Sequence, residues 1–176
     1  MKTGLRRCLY IGLGGTGITS LLHTKKMFLE NYGEIPPMIG FLGIDTDGSI
    51  CTKSIESTEG KVSLNAFEQA SIISKEAPEI FEVNREECFS WVPNANVAAI
   101  DSQYWYPGQV RSNGRLAISI NYEKVKKSIK DAITKITNTN DIDNQKYKLL
   151  SNTIEVHMVF SICGGTGAVY LLMLLT

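Results

Sequence analysis

Leu9-Tyr10-Ile11-Gly12-Leu13-Gly14-Gly15-Thr16-Gly17-Ile18 decides the fold. Three apolar residues end in a glycine turn, and the turn runs straight into an apolar helix. Its Gly12, Gly14 and Gly17 match the G-x-G-x-x-G spacing. Glycine allows the backbone angles of a tight turn and lets amide N–H groups approach an anion without a Cβ in the way. The helix that follows presents a partial positive charge at its N-terminus, which suits a phosphate.

Working outward, Leu5 to Gly12 reads as a strand and Gly17 to Asn31 as a helix. Ile18, Leu21, Leu22, Met27, Phe28 and Leu29 form its buried stripe. Gly33 stops that helix, and Pro36-Pro37 link it to a second apolar strand, Met38 to Ile44. Strand, glycine turn, helix, strand is a βαβ unit, whose crossover is right-handed and whose ligands lie at the carboxyl ends of the strands. The second strand runs into Asp45-Thr46-Asp47-Gly48.

A second glycine turn stands near the other end, Gly164-Gly165-Thr166-Gly167, with Cys163 before it and Ala168 after it. It follows a strand read over Thr153 to Ile162, with Val156, Met158, Val159 and Phe160 buried, and it opens another apolar helix. Between the turns the pattern is weaker. Lys61 to Leu64 reads as a short strand; Ala66 to Glu76 and Pro78 to Trp91 carry helical periodicity. Tyr104-Trp105-Tyr106 precedes a loop over Gly108 to Arg115, and Leu116 to Ile136 reads as one helix with a bend near Asn121. Thr137 to Asn152 is polar and reads as an exposed connection.

Composition bounds the function. The 176 residues suit one domain, and Lys plus Arg equals Asp plus Glu at 18 each. Zero net charge speaks against nucleic acid or an anionic membrane as the main partner, and no stretch reaches the length of a membrane span. Cys8, Cys51, Cys88 and Cys163 form no C-x-x-C pair and read as buried small hydrophobes in a reducing cytoplasm. His23 and His157 have no Cys, Asp or Glu at metal-ligand spacing, so the sequence offers no metal ligand.

On the first turn alone three readings compete: an NAD-binding Rossmann domain, an ATP-binding adenylyltransferase, and a tubulin-type GTP-binding domain. The second turn separates them. Gly164-Gly165-Thr166-Gly167 resembles the core of the tubulin signature, Gly-Gly-Gly-Thr-Gly-Ser-Gly, shared by tubulin and the bacterial division protein FtsZ. The first turn resembles the FtsZ glycine loop, and Asp45-Thr46-Asp47 resembles the Asn-Thr-Asp that ends the FtsZ second strand. Gly108 to Arg115, with the pattern Gly-Gln-x-Arg-x-x-Gly-Arg, stands where the γ-phosphate loop belongs, and the combined pattern is similar to divergent bacterial tubulin-like proteins more than to FtsZ itself. Cys163, Val169, Thr16, Ile18 and Thr19 depart from the FtsZ pattern.

The resemblance implies an α/β domain, Rossmann-like, with a mostly parallel sheet and helices on both faces. It implies GTP or GDP as ligand with Mg²⁺ at the phosphates, held by Gly12, Gly14, Gly15, Thr16, Gly17 and Thr19 of the first turn and Gly164, Gly165, Thr166 and Gly167 of the second. Asp45 and Asp47 are expected at the ribose, with loop capping as the alternative role for Asp45. Gly108, Arg111, Gly114 and Arg115 are expected at the γ-phosphate, with ion pairing as the alternative for the arginines. Thr166 has the alternative role of a helix N-cap. It also implies head-to-tail self-association of the intact protein into filaments, which residues 1–176 alone are not expected to form, and hydrolysis completed by acidic residues of a neighbouring subunit. The chain stops at Thr176 inside an apolar helix, so residues 1–176 are expected to be the nucleotide-binding domain of a longer protein, without its central helix and C-terminal domain and with negligible hydrolysis alone. A degenerate scaffold that no longer binds nucleotide is the remaining alternative.

Overall fold

A computed structural model describes residues 2–48, 52–58, 60–72, 77–100, 110–138, 146–165 and 167. Strand β1 (Thr3–Leu13) leads into helix α1 (Gly14–Tyr32) and strand β2 (Ile39–Asp45). A hairpin of β3 (Ser54–Ser57) and β4 (Gly60–Ser63) follows, then a 3₁₀ turn over Ala66–Glu68 and strand β5 (Gln69–Ser71). Helices α2 (Ala77–Asn84), α3 (Asn94–Ile100), α4 (Arg111–Ile120) and α5 (Tyr122–Thr137) precede strand β6 (Tyr147–Phe160).

The main sheet is parallel throughout, in the order β5-β2-β1-β6. The pleat of β1 sends alternate residues to opposite faces. Leu9, Ile11 and Leu13 join Leu42, Ile44, Leu116, Ala117, Val125 and Ile136 in one core. Cys8 joins Ile18, Leu21, Leu22, Met38 and Phe41 in the other. Helices therefore cover both faces, α1 on one and α4 with α5 on the other. The chain runs outward from β1 through β2 to β5 and then returns to place β6 on the opposite side of β1. The order of strands reverses between β1 and β6, which makes the carboxyl ends of those two strands the switch point of the sheet.

Local chemistry sets the boundaries. Helix α1 ends at Gly33, whose φ of 72° is left-handed and whose N–H donates to the Leu29 carbonyl at 2.8 Å. Its inner face uses Ile18, Leu21, Leu22 and Lys25; Met27, expected inside, is exposed because it falls off that stripe. Lys25 is buried through its ion pair with Glu68, which lies 2.5 Å away, and its Nζ also donates to the Ser63 carbonyl at 2.9 Å. Glu68 itself closes a capping box on Asn65.

Several expectations are corrected. The expected helix over Ala66 to Glu76 is a 3₁₀ turn and then strand β5 over its described part, because pairing with Gly43, Ile44 and Asp45 of β2 overrides a weak helical period. Asn121 divides Leu116 to Ile136 into two helices: its Nδ2 donates to the Ile72 carbonyl at 3.1 Å and to Ala117 at 2.8 Å. Residues 147–152, expected in an exposed connection, open β6: Tyr147, Lys148 and Leu149 pair with Thr3, Gly4 and Leu5, and the register shifts before Arg7 pairs with Ile154. Val156, expected buried, is 48% exposed, and Met158, Val159 and Phe160 are only half-buried, since among the described residues β6 is an edge strand. Cys8 is buried as expected, whereas Cys88 and Cys163 are exposed in turns.

Candidate functional site

The register puts the two glycine turns side by side. Leu13, the last residue of β1, pairs with Phe160 of β6 on one side and with Ile44 of β2 on the other. Gly14, Ser161 and Asp45 therefore leave three adjacent parallel strands at one rim of the sheet, across the switch point.

The glycines at this rim do different jobs. Gly12 and Gly17 are packing residues. A Cβ on Gly12 would lie 2.6 Å from the Gly17 carbonyl oxygen, and a Cβ on Gly17 would collide with the Val159 carbonyl oxygen. Gly14 turns the chain, with φ at +70°, a conformation that disfavours any side chain. Gly15 is exposed and a Cβ there would meet nothing within 4 Å. In the second turn, Gly167 lets the chain pass over the first: a Cβ would sit 3.0 Å from the Phe160 Cβ and 3.2 Å from the Leu13 carbonyl oxygen. Gly165 is buried and Gly164 half-buried. Thr166 lies outside the described residues.

Two helix N-termini near this rim carry no acidic residue in their first turns. Helix α1 begins at Gly14 with Leu13 as N-cap, a residue with no side-chain acceptor, and no acidic residue lies in its first turn. Its first amides and its dipole are thus left facing outward from the turn. Helix α4 also starts uncapped by a side chain, at Val110, with no acidic residue in its first turn. The Arg111 guanidinium donates to the Ile162 carbonyl at 3.0 Å, which ties the start of α4 to the loop after β6. Thr16 is exposed at the turn. The Thr19 hydroxyl donates to the Gly15 carbonyl at 2.8 Å, so its proton is used within the helix and its oxygen is left to accept.

Asp45 is buried, and its Oδ1 accepts the Thr46 amide at 2.7 Å, with the Asp47 amide bonding the same carboxylate. Burial pushes its carboxyl above the ordinary range, against the pull of those two amides. That geometry is the loop-capping role. Asp47 is half-buried beside it.

The γ-phosphate segment differs most from its expectation. Gly108 lies outside the described residues, and residues 111–115, read as a loop, form the first turns of α4. Gly114 is buried in that helix and its N–H donates to Val110 at 3.0 Å. Loop-type residues continue as helix here because Asn113, Gly114 and Leu116 fit the face buried against the sheet. Arg115 stacks on Trp91, 4.1 Å from the ring centroid, and among the described residues its guanidinium has no acidic partner. Arg111 alone of the two is at the second turn.

One cation was not legible in the sequence. Lys53 Nζ donates to the Gly15 carbonyl at 3.2 Å. It lies 38 positions from Gly15, in a stretch with no motif, and only the crossover from β2 brings it to the turn. That carbonyl contact holds the ammonium beside the start of α1, where the helix dipole alone disfavours a cation.

Fold and site together define a doubly wound, Rossmann-like α/β domain with paired glycine turns at its switch point. The family described as tubulin-like matches residues 9–175, and the chain belongs to it. No curated protein and no solved structure matches the chain. Among the described residues no helix is long and apolar enough to cross a membrane.

Proposed function

We propose that this chain binds a guanine nucleotide, GTP or GDP, with its phosphates across the two glycine turns. The observation that carries the reading is the pairing of Leu13 with Phe160, which starts both turns at one rim and brackets the switch point. Gly14 and Gly15 would present amides to the phosphates, Thr16 and Thr19 would offer hydroxyls, and Lys53 and Arg111 would supply positive charge. Mg²⁺ would bind through phosphate oxygens and neutralise part of their charge. The choice of guanine, like head-to-tail self-association into filaments, rests on membership of the tubulin-like family.

Asp45 favours this reading over a dinucleotide. Its carboxylate is buried and held by the Thr46 and Asp47 amides, where a Rossmann dehydrogenase presents a carboxylate to a ribose. Calorimetric titration with GDP and with GTP, each with magnesium, tests the proposal. One nucleotide per chain is expected; no binding of either would overturn it. Sedimentation of the full-length protein with GTP tests self-association, with sedimenting polymer expected and a monomer at all concentrations contradicting it.

A further inference from the structure

Cys8, Glu155 and His157 converge on the α1 face of the sheet. They come from two adjacent parallel strands: Cys8 pairs with Glu155 and Tyr10 with His157 in the β1–β6 register. Positions 155 and 157 share one side of β6, and 8 shares that side of β1. The Cys8 Sγ lies 4.0 Å from Glu155 Oε2, and His157 Nε2 lies 3.7 Å from the same oxygen. All three ligand atoms fall within 4.8 Å of one another.

We propose that these three side chains bind a transition-metal ion of the zinc type, through one sulfur, one nitrogen and one oxygen, with a water in the fourth position. A tetrahedral zinc with bonds of roughly 2.0–2.3 Å separates its ligand atoms by about 3.3–3.8 Å. Two of the contacts already stand close to that spacing, and small side-chain rotations close the rest. Mixed sulfur, imidazole and carboxylate donors select zinc-like ions over magnesium or calcium, which prefer oxygen alone.

The surroundings hold the ligands as an outer shell would. The Arg6 guanidinium binds Glu155 Oε1, which leaves Oε2 turned toward Cys8 and His157. The Tyr10 ring stacks on the His157 ring, with centroids 5.0 Å apart and planes 16° apart, and fixes the plane of the imidazole. Cys8 is buried, whereas the His157 and Glu155 side chains are 47% and 36% exposed, so an ion reaches the sulfur from the solvent side. Burial, with Glu155 beside it, raises the Cys8 thiol above its ordinary range, and the ion would offset this as the thiol loses its proton to solvent and binds as thiolate. This site is separate from the nucleotide rim and stands whether or not nucleotide binds.

Cobalt(II) serves as the probe, because a cobalt–thiolate bond gives a near-ultraviolet charge-transfer band. The titration uses the metal-free chain carrying Cys51→Ser, Cys88→Ser and Cys163→Ser, so that only Cys8 can give the band. One cobalt per chain, a thiolate band and its displacement by zinc are expected. His157→Ala, at a half-exposed position that leaves the fold intact, is expected to weaken cobalt about tenfold or more, since even an outer partner of a ligand costs about 10–100-fold. Cys8→Ser is expected to abolish the band. Absence of the band in the chain that keeps only Cys8, or an affinity unchanged by His157→Ala, would overturn the site.

Discussion

Leu13 and Phe160 are register partners on adjacent parallel strands, and each is the last strand residue before a glycine turn. Two turns separated by about 150 positions of sequence thereby become one rim. The second turn crosses the first at Gly167, against the Leu13 carbonyl oxygen. A tubulin-like domain with one turn intact and the other displaced would lose this juxtaposition.

Gly15 and Gly17 predict opposite outcomes for the same substitution. A Cβ at Gly15 meets only open space and φ there is not positive, so Gly15→Ala is expected to stabilise the helix by up to about 0.5–1 kcal/mol. The same methyl stands on the face where phosphate would approach, so nucleotide affinity is expected to fall. Chemical denaturation and nucleotide titration of one variant read both effects; unchanged affinity would remove Gly15 from the site.

Gly17→Ala drives a methyl into the Val159 carbonyl, a backbone atom that cannot rotate away. Overpacking of this kind costs about 1–3 kcal/mol, occasionally more. A fall of that size in urea-induced unfolding is expected, and a stability equal to the parent's would mean that β6 does not sit against this turn.

Lys53→Gln removes a cation from the Gly15 carbonyl without emptying any core position. Thermal stability of the ligand-free chain is expected to stay within about 0.5 kcal/mol of the parent, as for most surface changes. GTP affinity is expected to fall about tenfold, which corresponds to about 1.4 kcal/mol. Loss of stability without loss of affinity would make Lys53 a structural residue only.

Lys25→Met leaves Glu68 buried without its ammonium partner. Breaking a buried pair from one side costs about 3–5 kcal/mol. The double change Lys25→Met with Glu68→Gln is expected to recover part of that loss in equilibrium unfolding, because no bare carboxylate then stays inside. Equal stability of single and double variants would contradict the coupling.

Asp45 gives a pH signature. Its carboxyl is raised in the folded chain, so folding takes up protons there, and its contribution is most favourable below the unfolded-state value and declines as pH rises through the folded one. Asp45→Asn keeps an oxygen for the Thr46 amide and removes the buried charge. The variant is expected to gain stability over the parent at neutral pH, with the gain shrinking as pH is lowered toward the ordinary carboxyl range. A gain that grows on acidification would reverse the assignment.

The sequence carried the βαβ opening because its signals are local: a glycine turn between an apolar strand and a periodic helix, and a glycine stop at Gly33. The second turn was equally plain, and the order of the two turns pointed to the family. What was illegible depended on contacts far apart in sequence. Strands β3 and β5 are too short to show a period and exist through pairing, β5 with Gly43 to Asp45. The helical start of α4 was hidden by residues that usually build loops; the bend near Asn121 was legible, but its cause, the reach of the Asn121 side chain to the Ile72 carbonyl, was not. Lys53 at the first turn, Arg115 on Trp91, and Cys8 beside Glu155 and His157 are juxtapositions that only the closed sheet and its crossovers create.

Nucleotide choice tests the central claim most directly. Thermal denaturation of the chain would be followed with GTP, GDP, ATP and NAD in turn, each with magnesium. A ligand present at about a hundred times its dissociation constant adds about 2.7 kcal/mol of stability, an easily measured rise. A rise with GTP and GDP, and none of that size with ATP or NAD, is the predicted result. A rise with ATP or NAD alone would contradict it.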